Sequence, residues 1–501
     1  MNYKNYDVII AGAGIAGLYA ALCLDSRFRV LMLSKREIFV CNSAMAQGGV
    51  AAVIDKEGDS FELHIKDTLT AGGSKNYLPN VWVLIEQGPF EIENLLRLGV
   101  GFDKNDDGSL DLALEGGHSR NRVAHYKDST GHEIVSALAE RVRRLSNVTL
   151  LENAHLLDLK KDGENFSAQV FHNGVYEYYT SKTCLLATGG VGRVYDFTTN
   201  GATSTGDGIY FAHKMGAKIK DLSYIQFHPT AFADQKSREC FLISEAVRGD
   251  GAYLLNCKKE RFMQKYEPER MELAPRDVVS RCILAEQKET GSDEFFLDIS
   301  HVNGEYIKER FPMIYSRVLD FGFNLTKEPV PIYPCQHYLM GGIEVDDFGK
   351  TSVEGLYASG ECSTTGVHGA NRLAGNSLLE ALVFSRRVAE DINRQAVGND
   401  ICPPFKTNDL PKPAVPQGKP DTPQGASKPE GIRREIRGIM QRAYFVYPDY
   451  EEVKKGLARI EEIRRDLETG DYALTPELVE TRALAAVAFI ILTELNERES
   501  K

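Results

Sequence analysis

What the 501-residue chain lacks narrows its identity first. Its nine cysteines are odd in number and include no Cys-x-x-Cys pair, so neither a disulfide framework nor a zinc or iron–sulfur pattern is expected, and no metal. Long apolar runs are missing too. The longest, Ala483 to Leu492, is far short of a membrane span, and the charged N-terminus passes into an apolar strand by Asp7 without a targeting segment. The expectation is a cytoplasmic protein with no membrane contact. Positive charge is in deficit, with a formal net charge of -12, which argues against nucleic acid or anionic lipid as the main partner. An anionic substrate therefore has to be met by a local basic pocket. With 43% hydrophobic and 26% charged residues, the chain has the makings of two or three folded domains.

What is present begins at Asp7-Val8-Ile9-Ile10, an apolar strand running into Gly12-Ala13-Gly14-Ile15-Ala16-Gly17 and a helix expected from about Leu18 to Leu24. This is the Gly-x-Gly-x-x-Gly turn of dinucleotide-binding units. Gly12 allows the turn, Gly14 admits a pyrophosphate, and Gly17 lets the helix pack on the strand. The second strand is expected at Arg29 to Leu33. It ends in Ser34-Lys35 rather than the acidic residue that grips a ribose, which weakens a reading as an NAD site. Lys35 either meets a phosphate or is a solvated loop lysine; both readings stand at this point.

Asn42-Ser43-Ala44-Met45-Ala46-Gln47-Gly48-Gly49 is a run of small residues suited to lying against a flat ligand, the alternative being a flexible loop. A helix from Ala137 to Leu145 precedes short strands around 148–151, 156–159, 167–171 and 175–179, which read together as an antiparallel insertion. A buried strand then leads to Ala187-Thr188-Gly189-Gly190, and Thr205-Gly206-Asp207-Gly208 opens another helix. From about Ser223 to Tyr338 the strand-to-glycine signature disappears, and a separate cap is expected. The first domain resumes through Gly341-Gly342-Ile343 and Leu356-Tyr357-Ala358-Ser359-Gly360-Glu361, passing Asn376-Ser377-Leu378. The expected organisation is 1–222 and 339–401 as one domain, 223–338 as the cap, 402–430 as a Pro-rich linker, and 431–501 as a helical domain. In the last, helices at 432–445, 451–467 and 476–495 would bury one face formed by Leu484, Val487, Ile491 and Leu495.

Polar motifs cluster around the cap: Glu115-Gly116-Gly117-His118-Ser119, Gln226-Phe227-His228, Ser244-Glu245-Ala246-Val247-Arg248, Pro275-Arg276-Asp277, His337-Tyr338 and His368 to Leu373. A pocket gathering His228, Ser244, His337 and Arg372 has the donors to bind two carboxylates, with Arg372 as a bidentate fork. Singly, each residue has a duller reading; Arg276 beside Asp277 makes an ordinary ion pair.

Ser-Ala-x-Ala-Gln-Gly-Gly at 43–49 is similar to the flavin-contacting loop of the fumarate reductase, succinate dehydrogenase and L-aspartate oxidase flavoproteins, and the motifs in order resemble the L-aspartate oxidase members. The resemblance implies an α/β fold: a Rossmann-like FAD-binding domain with an inserted α+β cap and a C-terminal three-helix bundle. It implies FAD contacts at 12–17, Ser34, Lys35, Asn42, Ser43, Ala44, 47–49, 187–189, Asp207, Glu361 and 376–378. In membrane-bound relatives a histidine joined to FAD stands where this chain has Asn42, so the FAD here would be non-covalent.

By the same resemblance, His228, Ser244, His337 and Arg372 hold substrate carboxylates and Arg276 moves the proton. An arginine is almost always protonated, so that role demands an unusual environment or a relay. Glu115 would select the α-ammonium that distinguishes L-aspartate from succinate. The implied reaction is oxidation of L-aspartate to iminoaspartate with O2 or fumarate as final acceptor, the opening of NAD synthesis, with quinolinate synthase as partner. The alternatives are a soluble fumarate reductase or succinate dehydrogenase-type flavoprotein, and a flavin-binding interaction protein without turnover. Ala443 to Tyr447 and the ending at Lys501 depart from the family pattern, which bears on docking more than on chemistry.

Overall fold

The computed structural model describes residues 3–233, 237–396 and 427–499. Its centre is a five-stranded parallel sheet in the order Leu356–Ala358, Thr183–Leu186, Val8–Ala11, Val30–Leu33, Val148–Leu151. Val8–Ala11 and Val30–Leu33 are buried along their whole length because the sheet is covered on both faces, as an all-parallel sheet requires. On one face lie helices Ile15–Cys23, Leu78–Arg97, Thr130–Val142 and Asn376–Ala396, packed in one apolar core. The other face shares a second core with an antiparallel sheet and the C-terminal helices.

The antiparallel sheet is built from Ala154–Asp162, Asn165–His172 and Val175–Ser181, with Lys4–Asn5 added alongside the last. Here one expectation is corrected. Val148–Leu151 is not part of that insertion: it pairs in parallel with Val30–Leu33, Val30 opposite Val148, as the edge of the central sheet. The helix Thr130–Val142, which begins seven residues before the expected start, supplies the crossover that two parallel neighbours need.

Residues between 225 and 339 form a four-stranded sheet in the order Ile225–Phe232, Val330–Leu339, Phe295–Asp298, Tyr253–Leu255, backed by Arg276–Thr290. It has an apolar core of its own, from Phe232 to Ile332. The strands that enter and leave this unit, Ile225–Phe232 and Val330–Leu339, are paired with each other.

The C-terminal helices are Ser427–Ala443, Tyr450–Thr469 and Pro476–Glu499. Leu484, Val487, Ile491 and Leu495 are all buried, but burial extends well beyond one face because Pro476–Glu499 packs against Asp207–Lys214 as well as against its sister helices. Most of the expected linker lies outside the described residues; its end, 427–430, is helical. The first helix stops at Ala443, and Tyr444–Phe445 turns through Val446, at φ 58°, to pair with Tyr447–Pro448. Phe445 stacks on Tyr333 of the inserted sheet at 6.1 Å.

Candidate active site

The carboxyl ends of Val8–Ala11, Val30–Leu33 and Thr183–Leu186 open on one cavity of about 710 Å³, the position where open α/β sheets hold ligands. Gly12 sits at φ 117°, and a Cβ there would lie 2.0 Å from the Ala187 carbonyl oxygen, so only glycine permits the strand crossing. Gly14 caps the helix without a side-chain bond, and Ser43 Oγ accepts from the Ile15 amide at 3.2 Å. Gly12, Ala13, Gly14 and Ala16 line the cavity. Ile15 and Gly17 do not: Ile15 is fully buried in the core, and a Cβ on Gly17 would lie 2.0 Å from the Gly12 carbonyl oxygen, which makes it a packing glycine.

The small-residue run is neither loose nor extended: Asn42–Met45 is a short helix, and Val50–Ala51 is a strand. Asn42, Ser43, Ala44, Gln47, Gly48 and Gly49 all line the cavity. Asn42 Oδ1 accepts from the Gly201 amide at 3.0 Å, and its Nδ2 lies 3.5 Å from Glu361. Ala187, Thr188, Gly189, Glu361, Ser377 and Leu378 also line it. Burial raises the Glu361 carboxyl to about 7.

Like Ile15 and Gly17, Asn376 is corrected as a cofactor position, whereas Lys35 keeps its place on the cavity. Asn376 is fully buried away from the cavity, its amide held by His64 Nε2 at 2.9 Å and Thr68 Oγ1 at 3.0 Å, so it fixes the start of a helix. Lys35 is not a solvated lysine. It lines the cavity beside Ser34, but its ammonium pairs with Asp207, with Glu480 of the C-terminal helix at 3.2 Å and with Thr205 Oγ1 at 2.6 Å. Asp207 also lines the cavity, with Lys35 as its counter-charge.

The far end of the cavity gathers His228, Ser244, Arg276, His337, Arg372 and Glu115. Arg372 donates to Ser377 Oγ at 2.5 Å and to His337 Nε2 at 3.0 Å, while its Nε is buried without a partner. Its guanidinium lies 4.2 Å from the centre of the Tyr338 ring. Because an arginine only donates, His337 Nε2 accepts, and its Nδ1–H donates to Thr199 Oγ1 at 2.7 Å. His228 Nδ1 accepts from the Thr230 amide at 3.3 Å, which places its proton on Nε2, buried and unpartnered. Burial, and then the charge of Arg276, push both histidines below the usual imidazole range. They are neutral, and His228 presents a free N–H. Ser244 caps the helix Glu245–Gly249, accepting from Ala246.

Arg276 does not pair with Asp277, which bonds Arg281 at 2.5 Å instead. Arg276 Nε donates to Glu245 Oε2 at 2.5 Å and Nη1 donates to Gln226 Oε1 at 2.9 Å. Glu245 is also 3.1 Å from Arg248, whose Nη1 donates to the Glu272 carbonyl. The carboxylate between two guanidiniums is held below its ordinary range by those charges, although burial opposes this. Glu245 thus links Arg276 and Arg248 in one buried array. Glu245, Arg248 and Gln226 stand in the polar motifs of the sequence with no role legible there; the i,i+3 spacing of Glu245 and Arg248 is the one local signal of their pairing. Glu115 is 3% exposed, and burial followed by Glu245 raises its carboxyl to about 7. His368 pairs with Glu380 at 2.8 Å and does not line the cavity.

The glycine cradle, the uncapped helix start, the unpartnered buried Gln47 Oε1 and the cavity volume fit a bound FAD. Residues 7–378 match the FAD binding domain family. The chain is 47% identical to the L-aspartate oxidase of Clostridium perfringens, over 77% of this chain and 86% of that one.

The chain belongs to the L-aspartate oxidase family.

Its likeness to the L-aspartate oxidase of Acinetobacter baylyi runs over 99% of this chain and 92% of that one at 36% identity. Among solved structures, an E. coli quinol fumarate reductase matches with a TM-score of 0.87 at 28% identity, over 99% of this chain and 90% of that one. An adenylylsulfate reductase of Archaeoglobus fulgidus, at 15% identity and a TM-score of 0.74, shares the fold. The expected α/β architecture with its FAD-binding domain and C-terminal helices is thus that of the L-aspartate oxidase family and its fumarate reductase neighbours. Among the described residues no helix is long and apolar enough to cross a membrane.

Proposed function

We propose that this chain oxidises L-aspartate to iminoaspartate with non-covalently held FAD. The reading rests on one observation: the cavity that fits FAD ends in a buried set with both a carboxylate fork, Arg372, and an added carboxylate, Glu115. Arg372 and the His228 Nε2–H engage the substrate carboxylates, and Ser244 adds a hydroxyl. Glu115 attracts the α-ammonium and so orients Cα. When bound, FAD supplies the two-electron oxidation, taking the Cα hydrogen with its electron pair. The proton released from the amine enters at Arg276, which hands one of its own N–H protons to the Glu245 carboxylate as it receives it, so that the proton comes to rest on Glu245 beside Arg248.

Fumarate fits the same carboxylate contacts and serves as an acceptor alongside O2, which gives H2O2. This opens NAD biosynthesis in the cytoplasm, with quinolinate synthase consuming the labile imine. The unit 223–338 is a cap that opens about Ser223 and Tyr338 to admit substrate. Glu494 of the last helix braces the first of these junctions by accepting from the Leu222 amide at 3.1 Å and the Ser223 amide at 2.8 Å.

The deciding experiment mixes the FAD-loaded protein anaerobically with L-aspartate, succinate or D-aspartate while the visible flavin absorption is followed. Bleaching by L-aspartate alone supports the reading. Bleaching by succinate and not L-aspartate transfers it to the dehydrogenase class, and none at all favours a flavin-binding protein without turnover.

A further inference from the structure

The loop 115–119 lies beside the segments that carry Glu245, Arg276 and Arg372 at the substrate end of the cavity. The Gly117 amide donates to the Leu273 carbonyl at 3.0 Å, three residues before Arg276. A Cβ on Gly116 would lie 2.0 Å from Glu245 Oε1, so the loop passes directly beside the relay carboxylate. Its one imidazole, His118, reaches the other way. His118 Nε2 lies 2.9 Å from the Ala374 carbonyl oxygen, two residues beyond Arg372. Its Nδ1 lies 2.8 Å from Arg122 Nη1.

These partners dictate the protonation state. A carbonyl only accepts and a guanidinium only donates, so Nε2 carries the proton and Nδ1 is bare. Burial and the charge of Arg122 push His118 below the usual imidazole range, consistent with that neutral form. Arg122 is itself fully buried and immobilised: it bonds Asp59 at 2.8 and 2.9 Å and Asp67 at 2.6 Å. Asp67 also accepts from Ser119, from its amide at 2.8 Å and its hydroxyl at 2.7 Å. The loop is therefore clamped to a rigid ionic cluster at two successive residues, and from that cluster His118 reaches across to the backbone that carries Arg372.

We propose that His118 is a positioning residue: as a neutral bridge between the Glu115 loop and the Arg372 segment, it sets the spacing at which the ammonium and a carboxylate of one substrate are held. The proposal rests on the reading of Glu115 and Arg372 given above. Its consequence is selective. A diacid without an ammonium uses only the Arg372 side and the histidines, so it is insensitive to where Glu115 stands. L-Aspartate uses both sides and is sensitive to their separation.

The test compares His118→Gln and His118→Met in the FAD-loaded enzyme. It measures kcat and KM for L-aspartate and the inhibition constant of succinate. The glutamine carries a donor and an acceptor at comparable reach and should keep the wild-type ratio of the two affinities. The methionine fills the space with neither, and should raise KM for L-aspartate about tenfold or more while leaving succinate inhibition unchanged. If the methionine variant yields no folded holoenzyme, His118→Asn, which reaches only one of the two partners, must show the same selective loss in part. A wild-type ratio in the methionine or asparagine variant overturns the proposal. So does an equal loss for both ligands, which is what a purely structural histidine would produce. Failure of the underlying reading is seen separately, as wild-type protein that L-aspartate does not bleach or as an unchanged ratio in Glu115→Gln.

Discussion

Glu115→Gln should make the protein more stable and less active, and the size of both effects follows from burial. The carboxyl is raised from 4.5 to about 7. At about 1.4 kcal/mol per pH unit, holding it ionised in the folded protein costs about 3 kcal/mol. The sign follows from linkage: a carboxyl whose folded pKa lies above its unfolded value favours the fold when protonated. That advantage is complete below pH 4.5 and is lost as pH rises through about 7. The neutral amide escapes the loss, so the variant should melt several degrees above wild type at pH 8.5 and near it at pH 4.5.

Activity should move the other way. Removing a buried charge opposite an ammonium costs about 2–3 kcal/mol, or roughly 30- to 150-fold in kcat/KM for L-aspartate, with succinate binding unchanged. In wild type, kcat/KM for L-aspartate should climb with pH and level off above about 7, because it reports ionisations of the free enzyme. In the variant that limb should vanish. Thermal melts at the two pH values, with steady-state rates from pH 5.5 to 8.5, provide the check. A variant no more stable than wild type at pH 8.5, or one that loses L-aspartate and succinate alike, refutes the reasoning.

Other variants probe the relay and the cradle. Glu245→Gln leaves Arg276 and Arg248 buried without their shared counter-charge; kcat should fall about 100-fold and stability by about 3 kcal/mol, and an unchanged kcat removes Glu245 from the proton route. Gly12→Ala places a Cβ 2.0 Å from the Ala187 oxygen at φ 117°, so the purified protein should lack flavin colour; full FAD occupancy contradicts the assigned turn. Lys35→Met strips Asp207 and Glu480 of their cation and should lower the melting temperature while weakening FAD binding about tenfold, as titration of the apoprotein with FAD would show.

The parts legible in the sequence are those where local backbone geometry limits the residue types. Gly12 could be read because a strand must turn sharply beside another strand, and Gly17 because a helix must touch it; both demands are written within a few residues. The ordered motifs that carry the family resemblance, and the presence of three amphipathic or apolar C-terminal helices, were legible for the same reason. Composition said only that an anionic substrate would need a local basic pocket in so acidic a chain.

Tertiary structure decided which groups meet. Arg276 chose Glu245, 31 residues away, over adjacent Asp277, because the start of its helix faces the cavity while Asp277 turns toward Arg281 and Asn371. Lys35 found Glu480 at a separation of 445 residues, which no local pattern encodes. Val148–Leu151 joined the parallel sheet because its neighbour there was an open edge, and four residues of apolar sequence carry no record of that choice. Asn376 was drawn to His64, away from the cavity its sequence neighbours line. Backbone conformation is a short-range property and leaves its mark on residue type. The pairing of buried charges is long-range, and any carboxylate can satisfy any guanidinium until the fold brings one of them within reach.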